Sequence, residues 1–247
     1  MNAWFEKLYE TFILSGGYRY IIEGFRNTVI ITLGALLIGV VIGSLIAIIK
    51  YFAEESPKLK PLAWLCDLYT TVIRGIPITV LLLLCYLVIM VTASDLTVAI
   101  TAFGINSGAY MAELIRSGIN AVDKGQMEAG RSLGMSRGQA MRKVIFPQAV
   151  RYILPAIGNE FIALLKETSV AGYVTIVDLT RAGNLIRNNT HDALNPLLLV
   201  ALIYLTLVVL LTNLLAVAEK KLENRDILCY NKIQKYVLKR FAAGRGV

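Results

Sequence analysis

Thr28-Val-Ile-Ile-Thr-Leu-Gly-Ala-Leu-Leu-Ile-Gly-Val-Val-Ile-Gly-Ser-Leu-Ile-Ala-Ile-Ile49 runs without a single charged residue. The hydrocarbon core of a bilayer needs about 20 apolar residues in a helix, because backbone groups left unpaired in lipid are prohibitively costly. This stretch meets that length and reads as a membrane span. The rest of the 247-residue chain agrees: 56% of residues are apolar, 17% are charged and the mean hydropathy is +0.62. Such a balance is too greasy for an ordinary soluble domain.

Four more candidate spans follow. Pro61–Val91 reads as one interrupted helix, with an amphipathic start (62–73), a break at Arg74-Gly75-Ile76-Pro77 and an apolar continuation (78–91). A third span covers Leu96 to about Ile119 and carries Asn106, Ser107, Tyr110 and Glu113. A fourth, from about Tyr152 to Leu165, is interrupted by Pro155 and Gly158 and carries Asn159 and Glu160; the fifth is Pro196–Val217. The expected fold is therefore an all-α, polytopic membrane protein with five transmembrane helices. Residues 1–222 form the membrane domain and 223–247 a basic cytoplasmic tail.

Charge distribution orients the spans. Lys and Arg total 25 against 17 Asp and Glu, a net +8. With the N-terminus outside, the inside segments hold 18 of the basic residues and the outside segments 5, the pattern of the positive-inside rule. The excess of positive charge is thus read as topology rather than as affinity for nucleic acid, and the C-terminus is expected in the cytoplasm. The tail mixes Ile227, Tyr230, Ile233, Val237 and Leu238 with Lys232, Lys235, Lys239 and Arg240, which suits either a helix lying on anionic membrane lipid or a solvated end.

Several chemistries are excluded by composition. Cys66, Cys85 and Cys229 lie far apart and His191 is the sole histidine, so neither a disulfide framework nor a metal site is expected. The first 27 residues alternate apolar and charged groups, unlike a cleavable signal peptide. A serine and histidine pair, or an intramembrane aspartate dyad, has no residues to build it. A secondary transporter would show two repeated halves, and no repeat is visible. A passive channel remains as the alternative from a different class.

The segment Gly125–Pro147 reads as two short helices on the cytoplasmic side. The first covers about Gln126–Leu133 and stops at Gly134, since glycine tolerates the left-handed conformation. In the second, Ser136 and Gln139 form a capping box, Ala140, Val144 and Ile145 share one side, and Pro147 is expected to end it. By itself this is a basic amphipathic knob. Its spacing, however, resembles the EAA loop of ATP-binding-cassette importer permeases: Glu128-Ala129-Gly130, three residues, Gly134, nine residues, Val144-Ile145-Phe146-Pro147. Gly130, Val144 and Phe146 depart from that pattern, each small or apolar for like. The motifs Arg74–Pro77, Ser107–Glu113 with Arg116–Ile119, Gly158–Ile162 and Leu165–Ser169 are similar to the polar amino-acid uptake branch, the histidine, glutamine and arginine type.

That resemblance implies a subunit of a bacterial inner-membrane importer, paired with a second permease copy or close homologue. A separate cytoplasmic ATP-binding cassette ATPase would bind ATP, and an external solute-binding protein would deliver substrate. No Walker A pattern occurs in the chain, so neither ATP hydrolysis nor a cofactor of its own is expected. ATPase coupling would rest on Glu128, Ala129, Gly130, Gly134 and Pro147, with Glu128 as charged partner and Gly134 as tight turn. For substrate, Glu160 is the leading candidate, because an acid inside lipid is costly unless water or a cation meets it. Asn159 and Asn106 complete the expected head-group site. An acid at Glu160 favours a cationic amino acid; neutral or acidic polar substrates such as glutamine, cystine or glutamate are the alternative. Elsewhere, Glu113 and Arg116 are expected to pair locally, Arg74 to snorkel to the interface, and Gly34, Gly39 and Gly43 to admit a closely packed helix.

Overall fold

The computed structural model describes the backbone of residues 3–54 and 56–243, and side chains over 6–54 and 56–221. All regular elements among the described residues are helical. In order they are α1 (Ala3–Tyr9), α2 (Gly17–Ala53), α3 (Lys60–Gly75), α4 (Ile78–Leu84), α5 (Asp95–Asn120), α6 (Lys124–Ser132), α7 (Arg137–Ala140), α8 (Phe146–Glu167), α9 (Leu179–Thr190) and α10 (Leu194–Ala243).

Three helices are long and apolar enough to cross a bilayer: α2, α5 and the 194–221 part of α10. A fourth candidate is the bent pair Pro57–Gly75 and Ile78–Ile89. The break falls where the sequence places it, but its halves meet at 106°, so they do not continue as one interrupted rod. Local stereochemistry explains the turn. Pro77 disfavours helical geometry in the residue before it, and Ile76 is extended (φ −95°, ψ 128°), with Pro77 itself at ψ 135° before α4 starts. The segment expected as span four lies within α8, where Arg151, Asn159 and Glu160 dilute the apolar residues and keep it out of the group that passes on length and composition.

The central contact is α2 against α5. Lipid gives no hydrophobic reason for two apolar helices to associate, so close packing through small residues must supply it. A Cβ on Gly39 would sit 2.6 Å from Ser107 Oγ, and one on Gly43 would sit 2.4 Å from Met111 Cβ. Gly104 and Gly108 of α5 reciprocate by receiving Ile38 and Ile42 of α2. Beside this seam Ile31, Leu82, Val98 and Phe103 are fully buried and form the main core with α4 and the 168–174 turn. A second core holds Ala47, Ile115, Val122, Ile145, Ala149 and Ile153, joining α2, α5 and α8 at the end that carries α6 and α7.

The end of α8 opposite that loop is a polar joint. Asp178 caps α9 by accepting from the backbone N–H of Thr180 and Arg181, Thr28 Oγ1 accepts from Leu179 N (3.3 Å), and Asn27 donates to the Val177 carbonyl (2.9 Å). Asp192 gathers the start of the chain and α10, pairing with Lys7 (3.9 Å) and accepting from Asn195 Nδ2 (2.6 Å). His191 is exposed and ends α9 in the left-handed region, at φ 53°.

Candidate functional sites: an intramembrane acid and a coupling loop

Glu160 lies midway along α8 and is half-buried. Ser107 Oγ on α5 donates to its Oε1 at 3.5 Å, the limit of a hydrogen bond. Among the described residues no cationic side chain comes within salt-bridge distance of it. Asn106, next to Ser107 on α5, is 4% exposed and points about 100° around that helix from it. Asn159 is exposed and, one residue away on α8, points about 100° around the helix from Glu160. The expected trio is thus divided: Glu160 meets α5 through Ser107, whereas Asn159 faces outward from α8. Pro155 is accommodated inside α8 rather than ending it, and Gly158 gives room to Leu215 of α10, 2.4 Å from where its Cβ would be.

Glu113 and Arg116 do pair, at 2.9 Å, within a wider network. Lys50 of α2 bridges Glu113 (3.4 Å) and Asp67 of α3 (2.6 Å), and so ties three helices together. Arg74 is exposed. Its guanidinium stacks over the ring of Tyr110, 5.2 Å from the centroid, at the level of the helix break. Hydropathy marks Arg74 only as a charge near an apolar run; the partner on α5 is brought in by the bend.

The loop between α5 and α8 is built from strong local signals. Asp123 caps α6, accepting from Gly125 N at 2.6 Å. At its other end Gly134 has φ +83°, its N–H donates to Arg131 O (2.9 Å), and Met135 N donates to Gly130 O (3.2 Å). These two bonds are the Schellman closure that a glycine after a helix permits. The Ser136 and Gln139 capping box is formed in both directions. Gly130 is buried, with Ala140 Cβ only 3.1 Å from where its own Cβ would stand, so the smaller residue lets α6 lie against α7. Glu128 and Ala129 face outward. Leu133, 80% exposed beside them, is a large apolar side chain that the motif spacing does not mark.

Pro147 does not end the second helix, contrary to expectation. After α7 the chain makes a π turn over Met141–Ile145, with Phe146 N–H bonded to Met141 O, and runs directly into α8 with Pro147 in its first turn. A π turn shifts the hydrogen-bond register by one residue, and the proline then occupies a first-turn position where a missing N–H costs little. The second loop helix and α8 therefore form one continuous helical run. Arg137 ties its start to the end of α2 through Glu54 (2.7 Å) and the Tyr51 ring (5.5 Å).

Residues 39–224 match the family described as binding-protein-dependent transport system inner membrane component. The arginine transport system permease protein ArtQ of Bacillus subtilis (strain 168) is 35% identical over 211 residues, covering 84% of this chain and 94% of ArtQ. A putative glutamine transport system permease protein GlnP of Rickettsia typhi is 35% identical over 207 residues, covering 82% of this chain and 93% of GlnP. A crystal structure of an amino acid ABC transporter with histidines superposes with a TM-score of 0.77 at 41% identity, covering 83% of this chain and 94% of that one. The inward-facing MetNI methionine ABC transporter shares the fold, with a TM-score of 0.69 at 21% identity and coverage of 81% and 95%. The chain belongs to the inner membrane components of binding-protein-dependent transport systems, as a permease subunit of the amino-acid ABC importers.

Proposed function

We propose that this permease carries cationic amino acids and that Glu160 reads the positive side chain. The observation that supports the reading is an acid in the middle of α8, half-buried, with a hydroxyl as its hydrogen-bond partner and no cation beside it among the described residues. An ionised carboxylate at membrane depth costs at least a few kcal/mol unless a cation or water meets it, and a passing arginine, lysine or histidine would do so. Asn106 supplies an amide to the head group from α5, and Asn159 supplies another where α8 faces a partner permease. A second reading, transport of a neutral polar amino acid, draws on the glutamine permeases of equal similarity.

In the same proposal the chain crosses the membrane five times, with the bent pair and α8 as spans two and four and the C-terminus in the cytoplasm. Two permeases, this one twice or with a close homologue, each place the 125–147 loop in a cleft of a cytoplasmic ATPase that binds ATP. Glu128 is the charged contact, Leu133 the apolar anchor and Gly134 the turn that presents them, with Ala129, Gly130 and Pro147 shaping the loop. An external solute-binding protein delivers substrate, and the 223–247 tail rests on anionic lipid.

Reconstitution with the ATPase and binding protein, followed by uptake of a panel of labelled amino acids, tests the substrate reading. Glu160→Gln should weaken arginine uptake roughly 10- to 100-fold, the worth of one hydrogen bond to a charged group, and raise glutamine relative to arginine. Unchanged affinity and ranking overturn it. Uptake that continues without the ATPase would identify a passive channel instead.

A further inference from the structure

A second polar region lies one helical turn along α5 from Ser107. It is a cavity of about 430 Å³ lined by Asp67, Thr70, Thr71, Arg74, Gly75, Tyr110 and Glu113. Two of these residues are acids, and both are already paired: Lys50 binds Asp67 and Glu113, and Arg116 binds Glu113. Arg74 is the remaining charge. Among the described residues no carboxylate lies within salt-bridge distance of it, and its flat guanidinium rests on the Tyr110 ring, which orients the group without neutralising it. Arg74 thus faces this cavity, at the break between α3 and α4, as an exposed guanidinium with no carboxylate partner among the described residues.

The placement relative to Glu160 gives this charge a use. Ser107, which contacts Glu160, and Tyr110, which supports Arg74, are three residues apart on α5. That is an axial step of about 5 Å and a turn of about 60°. An acid on α8 and a base on α3 thus meet α5 at side chains one helical turn apart. Every free amino acid has an α-carboxylate, and a guanidinium fork is the side chain best shaped to hold one by two parallel hydrogen bonds.

We propose that Arg74 is the anchor for the α-carboxylate of the transported amino acid, held in place by Tyr110, with Thr70 and Thr71 hydroxyls lining the same cavity. The inference rests on the reading that the chain carries amino acids and adds a division of labour. Arg74 demands that the substrate be an amino acid, and Glu160 selects which one.

The test is equilibrium binding to the purified permease and ATPase complex in lipid nanodiscs, without binding protein, so that only the permease discriminates. Labelled arginine is competed with arginine, with arginine methyl ester, whose carboxylate is masked, and with agmatine, which lacks it. The wild type should prefer arginine over both analogues by roughly 10- to 100-fold. Arg74→Gln should weaken arginine by that factor, leave the analogues nearly unchanged and bring the ratio towards one. Glu160→Gln should weaken all three together and keep the ratio. A wild-type ratio near one, or an Arg74→Gln ratio equal to the wild type, overturns the anchor while the cationic reading stands. If the wild type binds glutamine but not arginine, the cationic reading falls and the anchor is judged by glutamine against its methyl ester. Should Arg74→Gln fail to assemble, as judged by elution of the complex, Arg74→Lys carries the test: it keeps the charge but not the fork, so an intermediate ratio supports the anchor and a wild-type ratio overturns it.

Discussion

Asp178 has no exposed surface, yet it is a carboxylate at the start of α9. Burial pushes its carboxyl above the ordinary aspartate value, and hydrogen bonds from the backbone N–H of Thr180 and Arg181 pull it back only in part. A raised acid pKa means that the folded protein binds this proton more tightly than the unfolded chain does. The cost of ionisation is therefore present above the folded pKa and is relieved as pH falls through it towards the unfolded value. Asp178→Asn keeps a capping oxygen without the charge. As pH falls towards the ordinary aspartate range the wild type should gain thermal stability relative to this variant. A difference in Tm that is constant with pH would refute this. Residue-scale features of this kind were unevenly visible in the sequence. Gly134 announced its turn because few residues other than glycine adopt φ +83°, and Gly39 and Gly43 announced a close helix. Arg74 gave no sign of Tyr110, because cation and ring are 36 positions apart and meet only after α3 turns away from α4.

At the scale of elements, the decisive feature is the π turn that fuses α7 to α8. It keeps the helix continuous through Pro147, so that under the proposed coupling a push on α6 and α7 would reach the helix that carries Glu160. Inserting one alanine after Gln148, in the regular part of α8, should rotate the loop by about 100° about the rest of that helix. The protein should still reach the membrane, measured by immunoblot of membrane fractions, while uptake is lost; normal uptake would show that the loop's rotational setting is irrelevant. Glu128→Lys and Gly134→Asp should likewise abolish uptake with membrane levels retained. Glu128 is exposed and a Cβ on Gly134 would meet nothing within 4 Å, so neither change disturbs packing, although the second adds backbone strain of roughly 1–2 kcal/mol. Normal ATPase-coupled transport in both would sink the docking role. The capping box and the two short helices were readable from local sequence, since their hydrogen bonds span three or four residues. Continuity through the proline was not, because a π turn has no fixed residue signature and a proline in a helical pattern ordinarily signals an end.

For the whole molecule, orientation is the property that charge alone addresses. With 18 basic residues assigned inside and 5 outside, a green fluorescent protein fused after Val247 should fluoresce, and a cysteine placed at Ser94 in a cysteine-free background should react with an impermeant thiol reagent added from outside. A dark fusion together with an unreactive Ser94→Cys would reverse the topology. What the sequence determined by itself was whatever depends on neighbours along the chain: apolar length, capping, the turn at Gly134, the place of the break at Pro77 and the spacing of the coupling motif. What only the tertiary structure decided was whatever depends on two helices meeting. The 106° angle at that break, the Lys50 bridge across α2, α3 and α5, the contact of Ser107 with Glu160 and the setting of Arg74 on Tyr110 all belong to this second group. The physical reason is the same in each case. Hydropathy and capping act through the backbone over one or two turns, whereas the partner of a charge inside a membrane is set by how whole helices pack, and helix packing follows small-residue seams such as Gly39 against Ser107 rather than any pattern local to the charge.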